Sequence, residues 1–449
     1  MKLFNTLSNT VEEFKSLEDK KVRMYTCGPT VYDSAHIGNL RAYTFGDLLK
    51  RVLKFNDFSV LHAMNITDVD DKTIKKGEGK RLKYEEVIKK YEEKFWADEA
   101  LLNIEKPDIV TRATEYIDKI VSFIEELLAK NFAYKADDGS VYFSIAKFQD
   151  YGKLSHLNLN DLKAGARVAQ DEYDKENPAD FVLWKAWDEV DGEIFWQTSL
   201  GKGRPGWHIE CSAMSTDVLG DTIDIHTGGV DLIFPHHENE IAQSEARTGK
   251  KFVNYWLHNE HILVDGRKMS KSLNNFYTLD DVVAKGFSPL DFRYFVLGAH
   301  YRSKLNFTWE GLEAAKNARE RLVRILSATK DSGEGKIIEK YLTRFNEKIS
   351  DDLNTPEALA VVWELMRDEN EIQADKNSTI KKMDEALGLG LMRFESEKIP
   401  NEVKEFAEER KIARNNKDFT KSDILRDEIL SMGFIIEDKS DNEYSLGRK

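Results

Sequence analysis

The sequence predicts an α/β protein built on a parallel, doubly wound sheet, and three observations carry that prediction. A buried-strand pattern, Arg23 to Cys27, is broken by Gly28-Pro29 and leads through His36-Ile37-Gly38-Asn39 into a helical pattern. A second strand pattern, Ser59 to Ile66, completes a βαβ unit of ordinary length. Much later, Thr222 to His226 reads as a short strand ending in Thr227-Gly228-Gly229, with a new helix opening at Phe234 to Glu240. That is the layout of a Rossmann-like nucleotide fold interrupted by an insertion.

The elements follow in order. Phe45, Leu48, Leu49, Val52 and Leu53 recur at helical spacing between Leu40 and Phe55, and Asn39 is the expected N-cap. Thr67 to Asp71 is a polar loop after the second strand. Helices are expected over 84–102 and 112–130. The period then changes: Phe132-Ala133-Tyr134 and Val141-Tyr142-Phe143, joined through Asp138-Gly139, read as a hairpin. Gln149 to Asn177 is a poor core former. Gly201 to Gly206 reads as a glycine-rich loop, and Asp265 to Ser272 as a polar loop. Helical patterns fill 308–330, 336–352, 355–370 and 377–390. Glu395 to Pro400 is a charged linker. A basic helix with Arg410, Lys411, Arg414 and Lys417, a helix over 421–432 and a strand Phe434-Ile435-Ile436 close the chain.

The expected organisation is a Rossmann-like domain from 1–111 and 196–250, a connective insertion at 112–195, and a loop-bearing domain at 251–307. A helical bundle at 308–395 and a small mixed α/β domain at 396–449 follow. With 449 residues the chain is too long for one core. No apolar run approaches the ~20 residues of a membrane span, and no apolar core follows Met1 to Thr6, so neither a membrane segment nor a signal peptide is expected. Two cysteines make no disulfide framework, which fits a reducing, cytoplasmic location. The net charge of −14 opposes nucleic-acid binding on average, so a nucleic-acid partner requires a local basic face.

Both cysteines stand in suggestive places. Cys27 ends the first strand, and Cys211 lies in a segment, His208 to His261, that holds six of the ten histidines. His236 and Glu240 are four apart on a helix, and His237 and Glu240 three apart, so either histidine shares a face with the carboxylate. Two sulfurs, one imidazole and one carboxylate suit a tetrahedral zinc ion. His36 and Asn39 at a helix start suit a phosphate, and the lysines of Lys268-Met269-Ser270-Lys271-Ser272 suit a polyphosphate leaving group.

His36-Ile37-Gly38-Asn39 and Lys268 to Ser272 together are similar to the two signatures of class I aminoacyl-tRNA synthetases. Five further stretches resemble the cysteinyl-tRNA synthetase family: Cys27 to Asp33, Asn65 to Lys72, Asp180 to Lys185, Gly206 to Met214 and Phe234 to Glu240. The resemblance implies one zinc ion per subunit on Cys27, Cys211, His236 and Glu240, reading the thiol of L-cysteine. It implies ATP with Mg²⁺, and tRNA(Cys) as the acceptor of the cysteinyl group. It places His36, Asn39, Lys268 and Lys271 in catalysis, and Thr30, His36, Gly38, Asn39, Lys268 and Lys271 around ATP. Gly28, Thr67, Trp207, His226 and Asp231 surround the amino acid, and the expected state is a monomer. The first signature ends in Asn39 where many class I enzymes have His. Gln197 to Gly201 differs from the family's usual Ser-Pro-Trp-Gly. Near the end, Asn442-Glu443-Tyr444-Ser445 stands where the family commonly has Gly-Thr-x-Trp, whose tryptophan stacks on the anticodon; Tyr444 is the aromatic available for that stacking, one position away from the tryptophan. Two rivals share part of the pattern: a ligase joining cysteine to an amino sugar, and a non-catalytic zinc-stabilised RNA-binding protein.

Overall fold

The structure, a computed structural model, describes residues 1–157, 180–270, 273, 275–393, 400–438 and 443–448. Five strands form the parallel sheet that the sequence predicts: β1 (Lys21–Thr26), β2 (Ser59–Ile66), β3 (Ile109–Arg112), β4 (Ile223–Gly229) and β5 (Val253–Asn259). They lie in the order β5-β4-β1-β2-β3, every neighbouring pair parallel. The order reverses between β1 and β4, which opens a crevice at their carboxyl ends. Period-two alternation divides the core into two layers. Tyr25 and Ala63 face a cluster that includes Ile209, Trp256, Phe123 and Phe143. Met64 and Ile66 face another with Ile37, Leu40, Phe292 and Phe307.

The fifth strand lies beyond residue 250, inside the stretch expected to open the loop-bearing domain. It belongs to the sheet because Ile225 and Tyr255 stand in parallel register. The insertion likewise reaches further than residue 195. Its antiparallel sheet runs Ala133–Lys135, Val141–Phe143, Phe181–Ala186, Gly201–Pro205, Trp196–Thr198. The expected hairpin pairs Ala133 with Phe143. Gly201–Pro205, read from its glycines as a loop, is instead a strand bonded on both sides. The helix expected from residue 112 starts at Ile117, because Ile109–Arg112 is taken by the parallel sheet. An amino-terminal hairpin, Lys2–Asn5 with Thr10–Glu13, has no counterpart in the sequence reading.

Three helices position the site: α1 (Ile37–Phe55), α2 (Trp207–Leu219) and α3 (Glu238–Thr248). After β5, strands β6 (Ile262–Val264), β7 (Arg267–Lys268) and β8 (Leu305–Phe307) form a small sheet in the order β7-β6-β8. Helices Trp309–Ala328, Glu339–Ile349, Thr355–Arg367 and Gln373–Leu387 follow. The chain divides into two compact units, Met1–Leu391 and Met392–Lys449. The second holds helices Asn401–Asn415 and Phe419–Ser431 and a hairpin, Phe434–Asp438 with Tyr444–Arg448, on a core of Val403, Ala407, Ile429 and Phe434. Of the expected linker, only Pro400 is among the described residues. No helix of the described residues is long and apolar enough to cross a membrane.

One buried ion pair fastens α1 to the helical region. Asp47 accepts from Arg293 Nη2 at 2.5 Å and from Arg51 Nε at 2.8 Å, and both Asp47 and Arg293 are shut off from solvent. Burial pushes the Asp47 carboxyl up, but Arg293 and Arg51 hold it below the usual carboxylate range. Arg293 also donates to the carbonyls of Leu387 at 2.9 Å and Leu102 at 3.0 Å. Asp47→Ala leaves that guanidinium buried without its carboxylate. The larger unit is expected to lose about 3–5 kcal/mol in chemical denaturation; a loss below ~1 kcal/mol contradicts this account.

Candidate active site

Cys27 lies one residue past the end of β1, its N–H donating to the carbonyl of Thr227 on β4 at 3.3 Å. The next peptide passes hard against β2. Gly28 N–H donates to Asn65 Oδ1 at 2.8 Å, and a Cβ on Gly28 would sit 1.6 Å from the Asn65 carbonyl oxygen. Only glycine allows this approach.

Cys211 comes from α2 and Glu240 from α3, while His236 sits in the wide turn Ile233–His237 that precedes α3. Cys27 Sγ is 3.8 Å from Cys211 Sγ and 3.7 Å from Glu240 Oε1. His236 Nε2 is 3.0 Å from the same carboxylate oxygen. The donor atoms of Cys27, Cys211, His236 and Glu240 all fall within 4.8 Å of one another, and all four residues are buried. A second set, Cys27, His226, His237 and Glu240, satisfies the same limit. His237 Nε2 is 3.4 Å from Cys27 Sγ, and His226 Nε2 is 2.9 Å from Glu240 Oε2. The two sets share Cys27 and Glu240.

The buried donors interact strongly with one another. Burial raises the Glu240 carboxyl, but His226 and His236 draw it down to about 2. Burial lowers the His236 imidazole, yet Glu240 and Cys211 carry it up to about 10. Burial pushes the Cys27 thiol up, while the hydrogen bond from Cys27 brings Cys211 below the usual thiol range. An outer ring orients the donors. His208 Nδ1 meets His236 Nδ1 at 2.8 Å, and Trp207 stacks on the His236 ring at 4.1 Å between centroids. His258 Nε2 meets His237 Nδ1 at 2.8 Å.

Nine residues past Cys27, His36 and Asn39 close the start of α1. Asn39 N–H donates to His36 Nδ1 at 3.1 Å, and His36 N–H donates to Asn39 Oδ1 at 3.2 Å. The N-cap is therefore His36 and not the expected Asn39, because the imidazole accepts from the third helical N–H. The late lysine stretch comes to this helix end. Ile37 N–H donates to the Tyr277 carbonyl at 2.9 Å, and Phe276 packs edge-on against His36 at 5.0 Å. The methyl of Met269 would lie 3.1 Å from a Cβ on Gly38. Lys268 is exposed at the end of β7. Asn275 braces the stretch, accepting from Ser270 N–H at 2.8 Å and donating to the Lys268 carbonyl at 3.2 Å. Lys271 and Ser272 lie outside the described residues. Thr30 bridges to Thr67 across the strand ends.

Of the residues expected around an amino acid, Gly28 and Trp207 are half-buried and Asp231 is exposed. Thr67 is buried, its hydroxyl donating to Glu210 Oε2 at 3.0 Å and accepting from Asn65 Nδ2 at 3.1 Å. His226 is fully buried against Trp256 and Glu240. The sequence reading missed Asn65, Glu210, His208 and Asn275. Asn65, Glu210 and His208 lie inside motifs already singled out, and their partners are visible only in three dimensions. In the second unit, Arg410 and Arg414 pair with Asp438, and Lys411 with Glu443. The expected basic face is thus largely neutralised, and Tyr444 is half-buried with its hydroxyl on Glu408 at 2.9 Å. Phe419 is 63% exposed at the start of its helix.

Residues 13–317 match the family model of the class I (C) tRNA synthetase catalytic domain, and residues 344–391 match the DALR domain. The fold and the two converging signatures thus define a class I aminoacyl-tRNA synthetase. The cysteine–tRNA ligase of Protochlamydia amoebophila is 47% identical over 98% of this chain and 96% of its own length. That of Chlamydia muridarum is 48% identical over 97% of each. The chain belongs to the cysteine–tRNA ligase family. Solved structures share the fold at low identity. Mycobacterium tuberculosis methionyl-tRNA synthetase has a TM-score of 0.58 at 13% identity, over 83% of this chain and 91% of that one. The Agrobacterium radiobacter leucyl enzyme has 0.59 at 11%, over 84% of each.

Gly28→Ala is expected to force the backbone beside Cys27 away from Asn65. Displacing a reacting group by ~1 Å costs about 100-fold in rate, so cysteine-dependent ATP–pyrophosphate exchange should fall by that order. A wild-type exchange rate contradicts the close-approach argument.

Proposed function

We propose that this chain selects L-cysteine through a zinc ion held by Cys27, Cys211, His236 and Glu240. The observation that carries the reading is the convergence of these four buried donors on one point. Two thiols, an imidazole and a carboxylate fit a tetrahedral zinc shell, and this set is the better of the two because it holds both sulfurs. When bound, the ion supplies a soft Lewis acid that favours a thiolate over the hydroxyl of serine. His208 and Trp207 hold the His236 ring in place, and His226 holds Glu240.

The enzyme joins cysteine to tRNA(Cys) at the expense of ATP, in two steps. The cysteine carboxylate attacks the α-phosphate, releasing pyrophosphate, and the cysteinyl group then passes to the terminal adenosine of the tRNA. No side chain is required as nucleophile; positioning and charge stabilisation carry the rate. In our reading Gly28, Thr67, Trp207 and Asp231 line the amino-acid site, with His226 beneath it. Thr30, His36, Gly38 and Asn39 receive ATP at the α1 N-terminus, where helix N–H groups and the dipole favour phosphate. Lys268 and Lys271 neutralise the departing pyrophosphate, with Mg²⁺ accompanying ATP. We place the enzyme in the cytoplasm as a monomer.

For the tRNA, the DALR helices and the second unit are the recognition parts. Tyr444 is committed to Glu408, so we assign base stacking to Phe419, exposed between Lys417 and Lys421. An exposed aromatic flanked by cations is the arrangement that holds an unpaired base.

Two outcomes follow. Cysteine-dependent exchange is expected to vanish on zinc chelation and in Cys211→Ala, while serine supports exchange roughly 10⁴-fold less well; serine at comparable efficiency sinks the metal reading. Phe419→Ala should leave exchange untouched and reduce kcat/KM for tRNA charging about 10-fold, from a stacking contribution of ~1–3 kcal/mol. Unchanged charging refutes the stacking assignment.

A further inference from the structure

Arg41 lies one turn into α1, past the His36–Asn39 box. It is 1% exposed, its hydrogen-bond acceptors among the described residues are main-chain carbonyls, and the Glu260 carboxylate adds a favourable charge. Nη1 donates to the carbonyls of Glu260 at 2.7 Å and His261 at 2.8 Å. Nη2 lies 3.2 Å from those of His300 and Tyr301 and 2.6 Å from that of Ser303. These carbonyls fall in two segments. One immediately precedes β6, and the other immediately precedes β8. The two strands pair in parallel, Ile262 with Leu305 and Val264 with Phe307, and β6 carries β7 and Lys268. One guanidinium therefore grips the starting ends of both strands on which the lysine stretch is built. It does so from the helix whose N-terminus holds His36 and Asn39.

We infer that Arg41 is a positioning residue for ATP: it sets the distance between the α1 N-terminus and the β6–β7 hairpin without touching the substrate. The inference rests on the assignment of His36, Asn39 and Lys268 to ATP made above. A planar fork with five donors can hold two separate segments at once, whereas the single ammonium of lysine cannot. The far side of the His300–Ser303 loop is held by Asp352, which accepts from Tyr301 OH at 2.6 Å, Arg302 Nε at 2.7 Å and Phe4 N–H at 2.8 Å. Asp352 has a φ of 55°. Asn tolerates that conformation, so Asp352→Asn weakens the hold on the loop with little backbone cost.

The test is steady-state ATP–pyrophosphate exchange by full-length wild type, Arg41→Lys and Asp352→Asn, with melting temperatures measured alongside. Wild-type exchange with cysteine establishes the underlying reading; its absence refutes that reading and leaves nothing to position. Given it, Arg41→Lys is expected to lower kcat/KM for ATP by at least ~10-fold, with the KM for cysteine within about twofold of wild type. Asp352→Asn should show a smaller defect of the same selectivity, and it decides the matter if Arg41→Lys fails to fold. Losses that fall equally on ATP and cysteine, or that follow the melting temperature alone, overturn the inference. So do wild-type ATP kinetics in the folded variants.

Discussion

The chemistry of this molecule depends on β1 and β4 being neighbours. Pairing of Thr26 with Thr227 brings the chain end at Cys27 beside the strand that leads to His236 and Glu240. The strand order reverses at this pair, so the crevice is open to a ligand. Two thiols, a carboxylate and several imidazoles are buried there together. Desolvating such groups is costly unless a cation or a proton compensates. The hydrogen bonds of His226 to Glu240 and His208 to His236 hold the donors in one arrangement before any ligand arrives.

A second constraint ties the nucleotide end to the rest of the larger unit. α1 contributes its N-terminus to the proposed phosphate site, Arg41 to the β6 and β8 strand starts, and Asp47 to Arg293 near the last bundle helix. A single helix thus fixes three parts of the enzyme relative to one another. The first signature is local, a capping box between His36 and Asn39. The second reaches it through Tyr277, Phe276 and Met269, so neither makes the site alone.

Much of the fold was legible because strong periodicity marks it: β1, α1, β2 and the Ala133–Phe143 hairpin stand as the pattern predicts. Elements whose identity comes from their neighbours were not. Gly201–Pro205 has loop composition and becomes a strand by bonding on both edges. β5 joins the sheet across a boundary drawn from composition. The helical spacing of His236 and Glu240 was readable, and the structure realises it at 3.0 Å. Spacing did not separate His236 from His237, and geometry brings both within reach of the same partners. The tie of Cys211 to Cys27 was suggested by residue chemistry alone, across a separation of 184 residues, and only the family resemblance chose between the two histidines. The basic helix of the second unit was legible, but not the pairing of its Arg410 with Asp438 and Lys411 with Glu443, which comes from the hairpin that follows.

We propose that Cys27, Cys211, His236 and Glu240 hold a metal ion that reads the thiol of the substrate. The most direct measurement is the absorption spectrum of the cobalt-substituted enzyme during titration with cysteine and, separately, with serine. Tetrahedral cobalt bands are expected, with a thiolate charge-transfer intensity that rises with cysteine and stays unchanged with serine. A spectrum indifferent to cysteine, or one that responds equally to both amino acids, would contradict it.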